Sequence, residues 1–213
     1  MLSLPMKVIL YTCGGYLSGN IMYAYWVPKL LKGVDVRDFG ADHNPGAANA
    51  TLACGLPMGI LCAILDILKG TVPVMLAFHF SGITDWALVP IVLAPVVGHA
   101  WPLLIPGKGG KAIATSFGVL IGLMPEILLA LLWAALLLIC LPFLHDHREL
   151  ILFTSALLAM LSFVFYPMPA VRTMACGVSG ILMYKHRPVK ARQQEEVFTP
   201  AQAMKMESET KKK

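Results

Sequence analysis

Charge is what this 213-residue chain has least of. Only 14% of its residues are Asp, Glu, Lys or Arg, 57% are hydrophobic, and the mean hydropathy is +0.71. Soluble domains carry about 25% charged and about 45–50% apolar residues. The deficit argues against a soluble globular enzyme. The apolar excess argues against intrinsic disorder, which needs the opposite balance. Cysteine pairing is also missing: Cys13, Cys54, Cys62, Cys140 and Cys176 are odd in number, scattered, and form no CxxC. That pattern speaks against a disulfide framework or a zinc site and predicts small buried thiols on helices. No repeat of fixed period is present. A compact signal-peptide core is lacking too, because Gly14, Gly15, Ser18, Gly19 and Asn20 interrupt the run after Lys7. The first thirty residues therefore read as a retained membrane segment.

The net charge of +5 is unevenly placed. Residues 185–213 hold 8 Lys/Arg against 4 Asp/Glu, so all but one of the net charges lie in the C-terminal tail. A nucleic-acid partner is not expected. A near-neutral apolar body with a basic tail reads as an all-α, polytopic integral membrane protein. Seven apolar segments stand out, at about 4–28, 50–80, 84–104, 112–124, 126–144, 149–166 and 170–185. Breaks are expected at Met124-Pro125-Glu126 and at Tyr166-Pro167-Met168-Pro169, where proline disfavours a continuous helix. The fourth segment is short for a span. The positive-inside rule puts the basic loops 29–49, 105–111 and 145–148 and the tail in the cytoplasm, with the N-terminus outside. Gly55/Gly59 and Gly118/Gly122 have spacings that allow close helix contact. The membrane body is expected over 1–192, followed by a polar cytoplasmic tail over 193–213.

Polar residues concentrate on that cytoplasmic face, where they are informative in a membrane protein. The first cluster runs from Asp35 to Asn49 and includes Asp42, His43, Asn44, Gly46 and Asn49. Its turn residues can present backbone N–H groups to an anion. They are equally ordinary loop residues, and Asn49 is a candidate helix cap. The second cluster contains Gly98, His99 and Pro102, then Lys108, Gly109, Gly110 and Lys111, with Ala114 and Thr115 opening a helix. Glycines let backbone approach a ligand, lysines suit a phosphate, and a helix N-terminus favours anions. It is not a Walker A loop, since Ile105 stands at the first glycine position and Ala112 at the Ser/Thr. The third cluster is Lys185-His186-Arg187, which by itself is an ordinary basic flank. Asp66 and Lys69 are expected to form a structural pair.

In order and spacing, the three clusters resemble the bacterial acyl-phosphate:glycerol-3-phosphate acyltransferases over about residues 8–192. The glycine-rich match is the most specific, through Gly98, His99, Pro102, Lys108, Gly109, Gly110, Lys111, Ala114 and Thr115. The first motif is met by Asp35, Arg37, Gly40, Asn44, Gly46, Ala47 and Asn49, and the third by His186, Arg187 and Arg192. Asp66 to Gly70, followed by Pro73 and Val74, also looks like the family's second span. This chain departs from the family at several positions. Ala41-Asp42-His43 replaces a Ser-Gly, Ala48 a Thr, Leu52 an Arg, Val189 an Asn and Ala112 a Gly.

The resemblance implies a bacterial plasma-membrane enzyme without metal or other cofactor. It would move an acyl group from acyl phosphate to glycerol 3-phosphate and yield lysophosphatidic acid. It implies a phosphate loop of His99, Lys108, Gly109, Gly110, Lys111 and Thr115. Asn44, Gly46, Asn49 and Arg187 would join it in binding substrate, and Lys108 and His186 would act in catalysis. The composition of Asp42-His43 suggests a base that replaces the lost serine. Two other readings stay open: a paralogue with another hydroxylated acceptor, and a non-catalytic binder or transporter of phosphorylated lipid or anion. The oligomeric state is open.

Overall fold

Proline and hydropathy divide the chain into helices largely where the sequence predicts. The computed structural model describes residues 2–105, 109–124 and 127–187, and among these it contains helices and no strand. In chain order they are α1 (Leu4–Asn20), α2 (Tyr23–Lys32), α3 (Ala47–Cys54), α4 (Leu56–Met75), α5 (Leu88–Ala100), α6 (Ile113–Gly122), α7 (Leu128–Cys140), α8 (His147–Phe165) and α9 (Pro169–Lys185). A π-turn, Leu76–Phe80, prolongs α4, and single 3-10 turns lie at Val36–Asp38 and Asp85–Ala87. With that turn, α4 makes a 25-residue apolar rod, and α8 is the other helix long and apolar enough to cross a bilayer. Pro169 starts α9 at a position where its missing N–H costs nothing. Pro125 and Glu126 lie outside the described residues.

Two predicted segments are broken instead of continuous. The segment at 4–28 stops at Asn20 and resumes at Tyr23. The break is built by tertiary contacts: Asn20 Nδ2 donates to the Tyr16 carbonyl at 2.7 Å, and Asn20 Oδ1 accepts from the Leu103 N–H. Lys69 Nζ donates to the freed Ile21 carbonyl at 2.7 Å. Lys69 also contacts Asp66 at 2.7 Å, with both side chains at most 3% exposed, so the pair splices α4 to the end of α1. The segment at 50–80 is broken at Gly55, whose φ of +89° turns the chain from α3 into α4.

Close backbone contact fixes the bundle. A Cβ on Gly118 would meet the Ile67 carbonyl, and one on Gly70 would meet the Thr115 carbonyl at 2.6 Å, so α6 crosses α4 without room for a methyl. Gly122 packs on Thr71 and Val74. Of the two predicted GxxxG pairs, Gly118/Gly122 thus joins α6 to α4, and Gly59 seats against Thr51 and Ala47 of α3. Pro73 cannot donate to the Lys69 carbonyl, and Ser18 Oγ fills that vacancy at 2.8 Å. At the centre, the buried Trp133 ring stacks on Phe117 with centroids 4.3 Å apart, and its Nε1 donates to Thr154. The outer face is apolar: Leu131, Leu138, Ile139, Phe143, Met160 and Val164 are all exposed. A soluble monomer does not tolerate such a surface, and hydrocarbon solvates it.

Candidate active site

Three loops distant in sequence meet at one end of the bundle. In the first, Asp35 caps the 3-10 turn and binds the Arg37 guanidinium through two bonds, at 2.7 and 3.0 Å. Arg37 also lies over the Tyr25 ring. That guanidinium holds the Asp35 carboxyl below the usual carboxylate range. Asp42 accepts from the Asn44 N–H and from Asn49 Nδ2 at 3.0 Å, and Asn49 also donates to the Asn44 carbonyl. Asn49 therefore braces the turn from inside α3, and Gly46 takes the capping position that Asn49 was expected to fill.

Asp42 and His43 do not form the expected pair. His43 sits at φ +50°, and its Nδ1 lies 2.8 Å from the Arg37 carbonyl, so that nitrogen carries the proton and donates. The ring stays in its own loop. Asp42 points the other way and binds Lys111 Nζ at 2.8 Å across 69 positions of sequence. Adjacent residues in an irregular turn need not share a face, and this turn sends them apart. Burial acts to raise the Asp42 carboxyl. Lys111, Asn49 and the Asn44 N–H outweigh it and leave Asp42 below its ordinary value.

The glycine-rich loop is supported from beneath. The Gly110 N–H donates to the His99 carbonyl at 3.0 Å, and the His99 ring fills the space where a Gly110 Cβ would stand. Gly109 packs the same way on Ala100 and Pro102. Lys185 Nζ reaches over from α9 and donates to the Ala100 carbonyl at 2.8 Å, with the Gly109 carbonyl at 3.4 Å. The third cluster thus ties down the second. Ala112 caps α6 at φ +63°, in the region that favours the glycine it replaces. Thr115 departs from expectation. It is fully buried against α4 and does not line the cavity described below, because the helical turn carries Ala114 and Phe117 there instead. Lys108 lies outside the described residues.

Between these loops is a cavity of about 490 Å³. Its walls include Asp42, Asn44 and Gly46 from the first loop, Asp66 and Ile67 from α4, and His99, Lys111, Ile113 and Phe117 from the second loop and α6. His147, the first residue of α8, completes the rim. Asp66, Ile67, Phe117 and His147 were not among the predicted site residues. For His147 the signal was present in His145-Asp146-His147-Arg148, a polar cluster read only for the charge of Arg148.

His186 stands just behind. Its ring centre is 6.2 Å from that of His147. Its Nδ1 lies 2.8 Å from the Leu182 carbonyl, which can only accept, so Nδ1 carries the proton. Nε2 is then a lone-pair acceptor, and it has no hydrogen-bond partner among the described residues. Burial, together with Lys111, His147 and Lys185, outweighs the Leu182 carbonyl and pushes the imidazole down to about 4, so it is neutral near pH 7. Arg187 turns away and stacks over the Tyr184 ring at 4.0 Å.

Known proteins resemble this chain in sequence and in fold. The family described as "Glycerol-3-phosphate acyltransferase" matches residues 9–194. A glycerol-3-phosphate acyltransferase of Aquifex aeolicus is 35% identical over 187 residues, covering 85% of this chain and 93% of the relative. One from Enterococcus faecalis is 34% identical, covering 85% and 86%. The crystal structure of PlsY (YgiH), an integral membrane glycerol 3-phosphate acyltransferase, in its glycerol 3-phosphate form, superposes with a TM-score of 0.76 at 32% identity, covering 84% of this chain and 88% of that one. Its lysophosphatidic acid form gives a TM-score of 0.74. On the length of the match and the level of identity, this chain belongs to the glycerol-3-phosphate acyltransferase family.

Proposed function

We propose that the protein is a membrane acyltransferase that esterifies a hydroxyl of glycerol 3-phosphate with the acyl group of an acyl phosphate, giving lysophosphatidic acid and inorganic phosphate. The observation that carries this reading is the meeting of the first two polar clusters at one cavity, with Lys111 bound to Asp42, while Lys185 of the third cluster ties down the glycine-rich loop from behind. Lys111, with Lys108 beside it in sequence, attracts phosphate and offsets charge on the leaving group. An incoming phosphate competes with Asp42 for Lys111, and Asp42 keeps that ammonium at the cavity until it arrives. Asn44 and Gly46 form the opposite wall, braced by Asn49 from behind, and Gly109, Gly110 and His99 shape the loop that carries Lys111. Ile67, Ile113 and Phe117 offer an apolar wall for the acyl end. Holding donor carbonyl and acceptor hydroxyl together removes much of the entropic barrier. His186, neutral with a bare Nε2, stands behind the cavity rim.

The membrane body spans 1–192 as seven crossings of a bacterial plasma membrane. Its N-terminus is outside, and the cavity, the C-terminus and the tail 193–213 are on the cytoplasmic side. This orientation rests on the positive-inside rule, applied to Lys29 and Lys32 at the end of α2, Lys111 in the glycine-rich loop and Arg148 at the start of α8. One observation favours a different hydroxylated acceptor. Leu52, where the family has arginine, is 65% exposed on α3 and brings no cation to the site.

The test uses purified full-length protein in phospholipid vesicles. Acyl phosphate or an acyl thioester is offered as donor, with glycerol 3-phosphate or glycerol as acceptor. The reading expects acylated glycerol 3-phosphate from acyl phosphate alone, lost in Lys108→Ala and Lys111→Ala. Transfer only to glycerol would move the acceptor, and transfer only from thioester would overturn the donor.

A further inference from the structure

Asp42 belongs to a departure from the family pattern. Ala41-Asp42-His43 stands where the pattern has Ser-Gly, and it brings a carboxylate into the cavity wall. That carboxylate is anchored on its own loop. Asn49 Nδ2 donates to Oδ1 at 3.0 Å, and the Asn44 N–H donates to the same oxygen at 3.3 Å. Oδ2 is turned to Lys111 Nζ at 2.8 Å. Burial opposes the charge on Asp42, but Lys111 and Asn49 outweigh it, so the group is a carboxylate at neutral pH.

The two halves of the pair are held unequally. Among the described residues, Asp42 has three partners, and the Lys111 ammonium has one, Asp42 itself. Lys111 ends a flexible stem. Asp42 is short, and the Asn49 that braces it is only 5% exposed. The ion pair itself is open to the cavity, with the Asp42 side chain 40% exposed and that of Lys111 30%. A pair so exposed is weak enough for another anion to exchange into it.

We propose that Asp42 is a displaceable counter-ion that sets the phosphate affinity of the cavity: it yields Lys111 to the phosphoryl group of the incoming acyl phosphate and takes the lysine back as inorganic phosphate leaves. The inference rests on the acyl-transfer reading above. Asn44 and Asn49 keep the carboxylate in place while Lys111 changes partner. A bound phosphate therefore lies beside a fixed like charge, which weakens its binding. Donor and product meet the same penalty but do not have the same anchors. The acyl phosphate also has its acyl chain against Ile67, Ile113 and Phe117, and inorganic phosphate has nothing there. The carboxylate thus clears product from Lys111 and leaves the donor able to bind. The exchange is of ion partners alone, with no covalent bond or proton moved in the protein.

The experiment compares wild type, Asp42→Asn and Asp42→Ser as purified full-length protein in vesicles. Inorganic phosphate is titrated as an inhibitor of acyl transfer to glycerol 3-phosphate, and its binding is measured directly by equilibrium dialysis. Asp42→Asn keeps an oxygen for Asn44 and Asn49 and removes the charge. Its dissociation constant for phosphate is expected to fall about 5–50-fold. The KM for acyl phosphate should fall in parallel, because both anions meet the same carboxylate. Asp42→Ser should shift the same way. A damaged loop would lower phosphate affinity, so tighter binding is not the mark of a merely structural residue. Unchanged or weaker phosphate binding in both variants, or unfolding of both, overturns the proposal. Wild type without turnover defeats the acyl-transfer reading beneath it, while the dialysis still decides whether Asp42 governs phosphate affinity.

Discussion

Gly110 offers a quantitative test of why the glycine-rich loop needs its glycines. Its backbone is not left-handed, so alanine is conformationally acceptable there; the obstacle is the His99 ring, which occupies the Cβ position. His99 is 4% exposed and hemmed in by its own loop, so neither partner can yield cheaply. Overpacking of this kind costs about 1–3 kcal/mol. For a chain of this size that lowers the thermal midpoint by roughly 2–12 °C. Turnover should fall further, because a shift of about 1 Å in the loop that carries Lys111 costs on the order of 10²-fold. His99→Ala removes the obstacle, so the two substitutions must be coupled. Their interaction energy should lie in the range of about 0.5–3 kcal/mol expected of contacting residues. Thermal unfolding of the single and double variants in detergent measures it. The double variant should melt no lower than His99→Ala alone. Strictly additive losses, or a Gly110→Ala enzyme with wild-type melting and turnover, would refute the packing argument.

Three further outcomes follow from the structure. Lys69→Met should cost about 3–5 kcal/mol by leaving the Asp66 carboxylate buried and unpaired, and Asp66→Asn/Lys69→Met should recover part of it; unchanged melting of the single variant would contradict the splice between α4 and α1. His186 binds its proton less readily folded than unfolded. Its contribution is therefore complete above its ordinary value of 6.5 and is lost as pH falls through about 4. Between those limits wild type should lose up to about 3 kcal/mol relative to His186→Gln, and parallel pH–stability curves would count against the buried, neutral imidazole. Ala112→Gly should change stability by less than about 1 kcal/mol, since relief of the left-handed backbone offsets the loss of one buried methyl. A fall in midpoint beyond about 4 °C would exclude that balance.

Features set by local chemistry were legible in the sequence. The helix breaks near Pro125 and Pro167, the short fourth segment and the shared polar face follow from proline sterics and hydropathy, which act within a few residues. The Gly118/Gly122 contact was legible as a spacing, but its partner on α4 was not. What escaped depends on long-range partners. The break after Asn20 is held by Lys69 and Leu103, so no helix-stop signal nearby announces it. Asp42 was assigned to its neighbour His43 because adjacency is visible and a lysine 69 positions away is not. Thr115 was placed at the substrate because it opens a helix, yet the rotation of α6 against α4 decides which face meets the cavity. His147 was overlooked because a residue at a span end looks like flank until the fold brings it to His186.

The central claim is that the cavity joining Asp42, His99, Lys111 and His147 transfers an acyl group to glycerol 3-phosphate. It is tested most directly by supplying the purified protein in vesicles with labelled acyl phosphate and glycerol 3-phosphate, and counting both products. Equal amounts of lysophosphatidic acid and inorganic phosphate, abolished in Lys111→Ala, are predicted. Saturable binding of acyl phosphate without transfer to glycerol 3-phosphate would contradict it.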